Sequence, residues 1–168
     1  EKNPFFQDIA NKVNPPKIWK EKEIAIYCGA GFTTWSPLRL TDPKGSFVGG
    51  SEEAVINLSK ALANRVYAVT VYNDPGDEEG EYDGVKYLPY YKFNKQDEFN
   101  VLIGWRQFLP EAIKAKKQYF WAHDILNGLE FTPERLEKLE KVIVLSDYHR
   151  RTIANVPDNK IMISSNGI

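Results

Sequence analysis

The sequence predicts an α/β domain, a parallel sheet with helices on both faces, and three observations carry that expectation. Short apolar, β-branched runs recur along the chain, and helical patterns fall between them. The runs are apolar at successive positions rather than alternate ones, as strands covered on both sides require. At 168 residues the chain has room for one good-sized core and hardly for two.

The elements come in order. Residues 1–23 mix Pro4, Pro15 and Pro16 with charges and set Phe5, Phe6, Ile9 and Val13 at helical spacing, which predicts a short helix and linker ahead of a domain at 24–168. Ile24-Ala25-Ile26-Tyr27-Cys28 reads as the first strand, and Gly29-Ala30-Gly31 takes the chain into a long loop that ends at Gly50. From Ser51, Ala54, Val55, Leu58, Ala61 and Leu62 share one helical face, while Glu53, Asn57, Lys60 and Asn64 fall largely outside it. Val66 to Tyr72 is the second strand and completes a βαβ unit. An acidic, turn-rich stretch over 73–84 leads to Val85-Lys86-Tyr87-Leu88 and an aromatic loop around Tyr90, Tyr91 and Phe93. Val101 to Gly104 is the next strand, a helix is expected over Gln107 to Lys116, and Tyr119 to Ala122 forms a strand ending at His123-Asp124. Helices over 133–140 and Asp147 to Ala154 then alternate with strands at Lys141 to Leu145 and Lys160 to Ile163.

Composition limits the partners. Lys and Arg (22) nearly balance Asp and Glu (23), so no overall field recruits nucleic acid or an acidic membrane surface, and an anionic ligand must be held locally. No apolar run has the length of a membrane span, and no basic amphipathic helix indicates membrane association. Cys28 is the only cysteine and lies in an apolar run, which rules out an internal disulfide and fits a reducing, cytoplasmic setting. The chain opens on Glu1 and carries its only methionine at Met162, so it reads as part of a longer product.

In a doubly wound sheet ligands sit beyond the carboxyl ends of the strands, so the residues just after each strand are the candidates. Gly49-Gly50-Ser51 ends the first long loop at a helix start, where backbone N–H groups approach a phosphate or a hydroxyl closely. Gly-Gly is equally a flexible loop end and Ser51 a helix cap. Glu52 and Glu53 compete with a phosphate for the helix dipole, so at least one must point away or bind hydroxyls. His123, with Asp124 beside it, stands where a ring nitrogen reaches a ligand hydroxyl near neutral pH or is satisfied by local backbone. Trp105 and Arg106 form a stacking surface with a polar handle, Trp35 is a second such surface, and for both tryptophans packing is the alternative. Ser146 caps the helix that carries Tyr148, His149 and Arg150, and Arg150 or Arg151 reaches an anion or is solvated. His123 and His149 have no metal-ligand spacing and no Asp-x-Asp triplet occurs, so no metal is expected. Gly29-Ala30-Gly31 lacks the third glycine of a dinucleotide turn, and neither a P-loop nor a G-x-S-x-G elbow is present.

This ordered set resembles the N-terminal domain of glycosyltransferase family 4, retaining enzymes of the GT-B fold. Gly49-Gly50-Ser51-Glu52-Glu53-Ala54-Val55 with Leu58 and Leu62 looks like the family's Gly-Gly turn and first helix, followed by the strand Val69-Thr70-Val71-Tyr72. Ala122-His123-Asp124 resembles its histidine segment, Val142 to Ser146 its strand and serine, and Ile163-Ser164-Ser165-Asn166-Gly167-Ile168 its linker to a second domain. The resemblance spans residues 24–168 and implies a Rossmann-like, acceptor-side half of a GT-B enzyme. It implies transfer of a sugar from a nucleotide-sugar donor to a sugar, glycan or lipid-linked acceptor, without cofactor or metal. His123 would touch the transferred sugar and Gly49-Gly50 would face the donor diphosphate. A C-terminal donor-binding domain would complete the site, and the chain alone would be inactive. Trp35 to Arg39 lengthens the loop, and Asn64-Arg65-Val66 stands where the family often has Gly-His. A non-catalytic carbohydrate-binding or scaffolding module of the same fold, and a GT-B epimerase or phosphorylase, are the alternatives.

Overall fold

The computed structural model describes residues 12, 13, 15–41, 48–126 and 128–166. The strands are β1 (Glu23–Tyr27), β2 (Ala68–Asn73), β3 (Gly80–Tyr82), β4 (Val85–Pro89), β5 (Glu98–Trp105), β6 (Lys114–Trp121), β7 (Lys141–Val144) and β8 (Ile161–Ile163). They form one sheet in the order β3-β4-β2-β1-β5-β6-β7-β8, parallel throughout except where β3 pairs with β4. The described helices are α1 (Gly50–Ala63), α2 (Pro133–Lys138) and α3 (Asp147–Thr152). The chain is therefore an α/β protein, as its sequence predicts.

Neighbouring residues of a strand point to opposite faces, and both faces are covered. On one, Ile24, Ile26, Val69, Val71 and Val85 pack with Ala54, Val55 and Ile56 of α1. On the other, Phe120, Val142 and Val144 pack with Leu136 of α2 and with Ile153 and Val156, just after α3. The chain grows outward from β1 through β2 to β4, then returns to the other side of β1 as β5. The strand order thus reverses between β1 and β5, and this is where a doubly wound sheet opens a crevice at its carboxyl edge.

Three crossovers dispense with an α-helix, and the one from β2 to β4 carries β3 instead. Residues 90–97 return from β4 to β5 as a single 3-10 turn and an extended piece, and Phe93 lies 5.1 Å from Phe99 and 4.5 Å from Tyr27, ring to ring. The helix expected over Gln107 to Lys116 does not form, and β6 begins at Lys114. Pro110 interrupts any helix there, because it has no N–H to donate and its ring crowds the preceding turn. Leu109 and Ile113 join the cluster around Phe99 and Leu102. Phe108 turns instead toward Phe120, 4.4 Å away. Lys114-Ala115-Lys116-Lys117 favours a helix by propensity, yet pairing with β5 from Glu98 to Trp105 recruits it as a strand.

Smaller departures have local causes. Lys12 and Val13 are helical and 15–22 is not; the rest of the expected N-terminal helix lies outside the described residues. Asp97 anchors that extended piece, accepting from the Lys17 N–H at 2.8 Å and from the Trp19 indole at 2.9 Å. The second strand starts at Ala68, because Val66 terminates α1 instead. The Tyr67 N–H donates to the Leu62 carbonyl at 3.2 Å and the Val66 N–H to Ala63 at 3.0 Å, the two bonds of a Schellman ending. Val66 holds the left-handed position of that motif, φ 63°, with a β-branched side chain that is mostly exposed. Glycine adopts this conformation without the steric cost. Val66→Gly should therefore stabilise the fold by about 1 kcal/mol, read as a rise in Tm; an unchanged or lower Tm contradicts this account of the turn.

Candidate functional site

All strands but β3 run the same way, so the segments just beyond β1, β5, β6 and β7 gather along one edge. Gly29, just after β1, has φ +70°, and a Cβ there would run into the Gln107 amide. The Gln107 side chain, after β5, donates to the Cys28 carbonyl at 2.8 Å and ties the segments beyond β1 and β5 together.

Trp105 and Trp121 end β5 and β6 and pair directly across the two strands. His123 lies two residues beyond Trp121, where a continued strand would return to the same face. Its imidazole packs against both indoles, with ring centroids 4.7 Å from Trp121 and 5.7 Å from Trp105. Burial by these rings lowers the His123 pKa to about 4, with the Arg106 charge adding to the effect and Asp124 opposing it. The ring is therefore neutral at pH 7.

Arg106 fixes the edge. Its backbone is left-handed, φ 61°, and its N–H donates to the Trp121 carbonyl at 2.9 Å. Its guanidinium meets the Asp124 carboxylate in two bonds of 2.6 and 2.9 Å and lies 5.1 Å from the Trp105 ring. A left-handed arginine costs about 1 kcal/mol, which these bonds offset. Behind it, the buried His149 accepts the Leu145 N–H at Nδ1, so Nε2 carries the proton donated to the Asp124 carbonyl at 2.8 Å.

The glycine turn sits at the start of α1. Gly49 is the N-cap with φ −66° and makes no side-chain cap, while Ser51 is inside the first turn and donates to Glu52 at 3.1 Å. Glu53 is exposed and Glu52 is half-buried, its carboxylate folded back over Gly49. The Glu52 charge also reaches Cys28, whose thiol pKa is raised mainly by burial and secondly by that charge. The turn therefore lies toward the carboxyl end of β1. Neither glycine has a left-handed φ, and a Cβ on Gly50 would meet no described atom within 4 Å. No described residue requires glycine at position 50.

Other expected residues have structural tasks. Ser146 caps α3, accepting the His149 N–H at 3.1 Å. Arg150 spends its donors on Asp158 and on the carbonyls of Ile153 and Val156. Trp35 is buried at 2% exposure, its carbonyl accepts the Asn73 amide at 2.7 Å, and its ring packs near Tyr87 and Trp105. It is core rather than an open stacking surface. Trp121 and Gln107 were not singled out from sequence; the signal for Trp121 was its spacing of two from His123.

Among the described residues no three of His, Cys, Asp and Glu gather as metal ligands would, and no helix is long and apolar enough to cross a membrane. A cavity of about 340 Å³ lies between α1 and the ends of β6 to β8, lined by Asn57, Leu58, Trp121, Ile143, Met162 and Ser165. A larger hollow of about 470 Å³ lies at the opposite edge, around Ile18, Trp19, Glu98 and Lys114, where strands begin. The strand-end chemistry is absent there. No protein-family model matches the chain, and none of the curated proteins or solved structures does.

The His123 pKa also sets an acid dependence. Between 6.5, its ordinary value, and about 4 the unfolded chain binds the proton and the folded chain does not. The stability that the neutral ring contributes is thus complete above about pH 6.5 and is lost as the pH falls toward 4. With allowance for the ring's partial exposure to solvent, this amounts to about 1–2 kcal/mol. Urea unfolding at both ends of that window should show the loss in the wild type and a smaller loss in His123→Gln; equal losses contradict it.

Proposed function

We propose that the chain is the acceptor-side half of a retaining glycosyltransferase that moves a sugar from a nucleotide-sugar donor to a hydroxyl-bearing acceptor. One observation carries the reading. Gly50 occupies an exposed helix start where a Cβ would meet no described atom within 4 Å, so the described residues leave the space above it open. Glycine in a helix is disfavoured relative to alanine, and a ligand's close approach is a physical reason to keep it.

The chemistry fits a donor with a diphosphate and a neutral sugar. The first N–H groups of α1 point out of the helix start and carry the positive end of its dipole, which suits a departing diphosphate. Glu52 folds across the same turn, so a bound diphosphate requires its carboxylate to swing aside or to take a hydroxyl. Arg106 is neutralised by Asp124, which leaves His123 as the uncharged polar group at the crevice. His123 positions the sugar, and no group of this half acts as a nucleophile. A donor-binding domain elsewhere in the polypeptide supplies the opposite wall, in a reducing compartment where buried Cys28 stays a free thiol.

Transfer assays use the longest natural polypeptide that contains residues 1–168 and a panel of sugar nucleotides. Gly50→Ala should leave stability within about 0.5 kcal/mol of the wild type. It should nevertheless lower kcat/KM at least about tenfold, because the new methyl fills the space of the ligand. His123→Ala should cost about tenfold or more through one lost hydrogen bond. Absence of transfer or hydrolysis with every donor, unchanged in His123→Ala, contradicts the proposal and favours a binding module; release of an epimerised or phosphorolysed product favours the other alternative.

A further inference from the structure

The two ends of the sheet are finished differently. At one end β3 is a short antiparallel strand whose central residue, Glu81, is exposed, and a charge on an edge strand discourages further pairing. At the other end β8 is Ile161-Met162-Ile163, in regular register with β7 and without a charge or a proline. Met162 and Ile163 are 48% and 49% exposed. Successive residues of a strand point to opposite faces, so β8 is open on both of them. Among the described residues nothing pairs with its outer edge.

The inner ladder determines which groups that edge presents. The Ser164 N–H donates to the Val144 carbonyl at 2.8 Å, and Met162 is in register with Ile143. Backbone direction alternates along a strand, so Met162 and Ser164 turn their N–H and C=O groups toward β7. Those of Ile161 and Ile163 point outward, where no described strand meets them. The side chains divide in the same way. Met162 stands in one row with Ile143 and Trp121 across three strands, and all three line the cavity beside α1. Ile161 packs on the opposite face, against the cluster around Phe120 and Val142.

We infer that β8 is a self-association surface: it pairs antiparallel with β8 of a second copy of the chain about a two-fold axis at Met162, joining the two 8-stranded sheets into one. The strand itself selects this occupant. Ile-Met-Ile reads the same in both directions, so an antiparallel copy sets Ile161 opposite the partner's Ile163 and Met162 opposite the partner's Met162. The isoleucines carry the outward groups, so each isoleucine pair exchanges both of its N–H···O bonds. Met162 falls in the non-hydrogen-bonded position between them, where side chains approach most closely. Lys160, just before β8, comes opposite the partner's Ser164, and no like charges meet. The junction continues the row of Trp121, Ile143 and Met162 into its two-fold copy and removes apolar surface from water on both faces of β8. The crevice at β1 and β5 lies away from the junction in each copy, so the inference stands whether or not the chain belongs to a transferase.

Sedimentation equilibrium of the 168-residue chain reads the association. The weight-average mass is expected to rise with concentration from 19.3 kDa toward twice that value. Met162→Lys sets two ammonium groups face to face and should hold the mass at the lower value. Single cysteines test the register. Facing non-hydrogen-bonded residues lie about 4.5 Å apart at Cα, within reach of a disulfide, whereas the two copies of position 163 lie about 8 Å apart, beyond it. On mild oxidation Met162→Cys should therefore form a cross-linked dimer at least about tenfold faster than Ile163→Cys. The two positions are equally exposed, so random collision does not separate them, and the buried Cys28 stays out of the reaction. A wild-type mass that remains at 19.3 kDa at about 1 mM chain overturns the inference and leaves the edge to a strand of other origin. Association that a folded Met162→Lys leaves unchanged overturns it as well, and so does equal cross-linking of the two cysteine variants.

Discussion

The joint between the carboxyl ends of β5 and β6 is the constraint on which the rest of the site depends. The connection between these strands is too short and too interrupted by Pro110 for a helix, so it runs back over the sheet as irregular chain. The two strands pair from Glu98 with Lys114 to Trp105 with Trp121, which brings two large indoles side by side at the edge. A sheet cannot slip by one residue there without turning both indoles to the opposite face, so packing of the pair against the α1 side fixes the register. His123 inherits its place from that register.

The electrostatics of the joint are geometric rather than strong. Arg106 and Asp124 are both partly exposed, and such a pair contributes about 1 kcal/mol or less to stability. Its two parallel bonds nevertheless define an orientation, and the left-handed Arg106 backbone directs the guanidinium across Trp105 to reach them. The consequence for ligands is that the guanidinium nearest His123 is already neutralised. The edge offers instead a neutral imidazole and, at the start of α1, backbone N–H groups beside a glycine that no described neighbour requires.

The fold was largely legible because its strands are apolar on both faces, and that pattern has few architectural solutions. The parts that could not be read depend on distant partners. Lys114 to Lys117 is a strand only because β5 lies beside it, and Val66 ends a helix although nothing in its side chain favours a left-handed turn. Of the candidate residues, those singled out by position at the strand ends lie together: His123, Asp124, Trp105 and Arg106 do meet. Arg150 and Trp35 looked equally available, but the Arg150 guanidinium is bound to Asp158 eight residues on, and the Trp35 ring is buried beside Tyr87 and Trp105. Trp121 was overlooked because a tryptophan within an apolar strand reads as core, although its spacing of two from His123 places it on the same face.

The central claim is that the carboxyl edge at the β1 and β5 reversal is the ligand site. An amide chemical-shift map of the chain against a panel of sugar nucleotides at high concentration tests it most directly. Perturbations grouped at Gly29, Gly50, Arg106 and His123 are the expected result. Perturbations confined to the hollow around Trp19 and Lys114, with the strand-end residues unmoved, would contradict it.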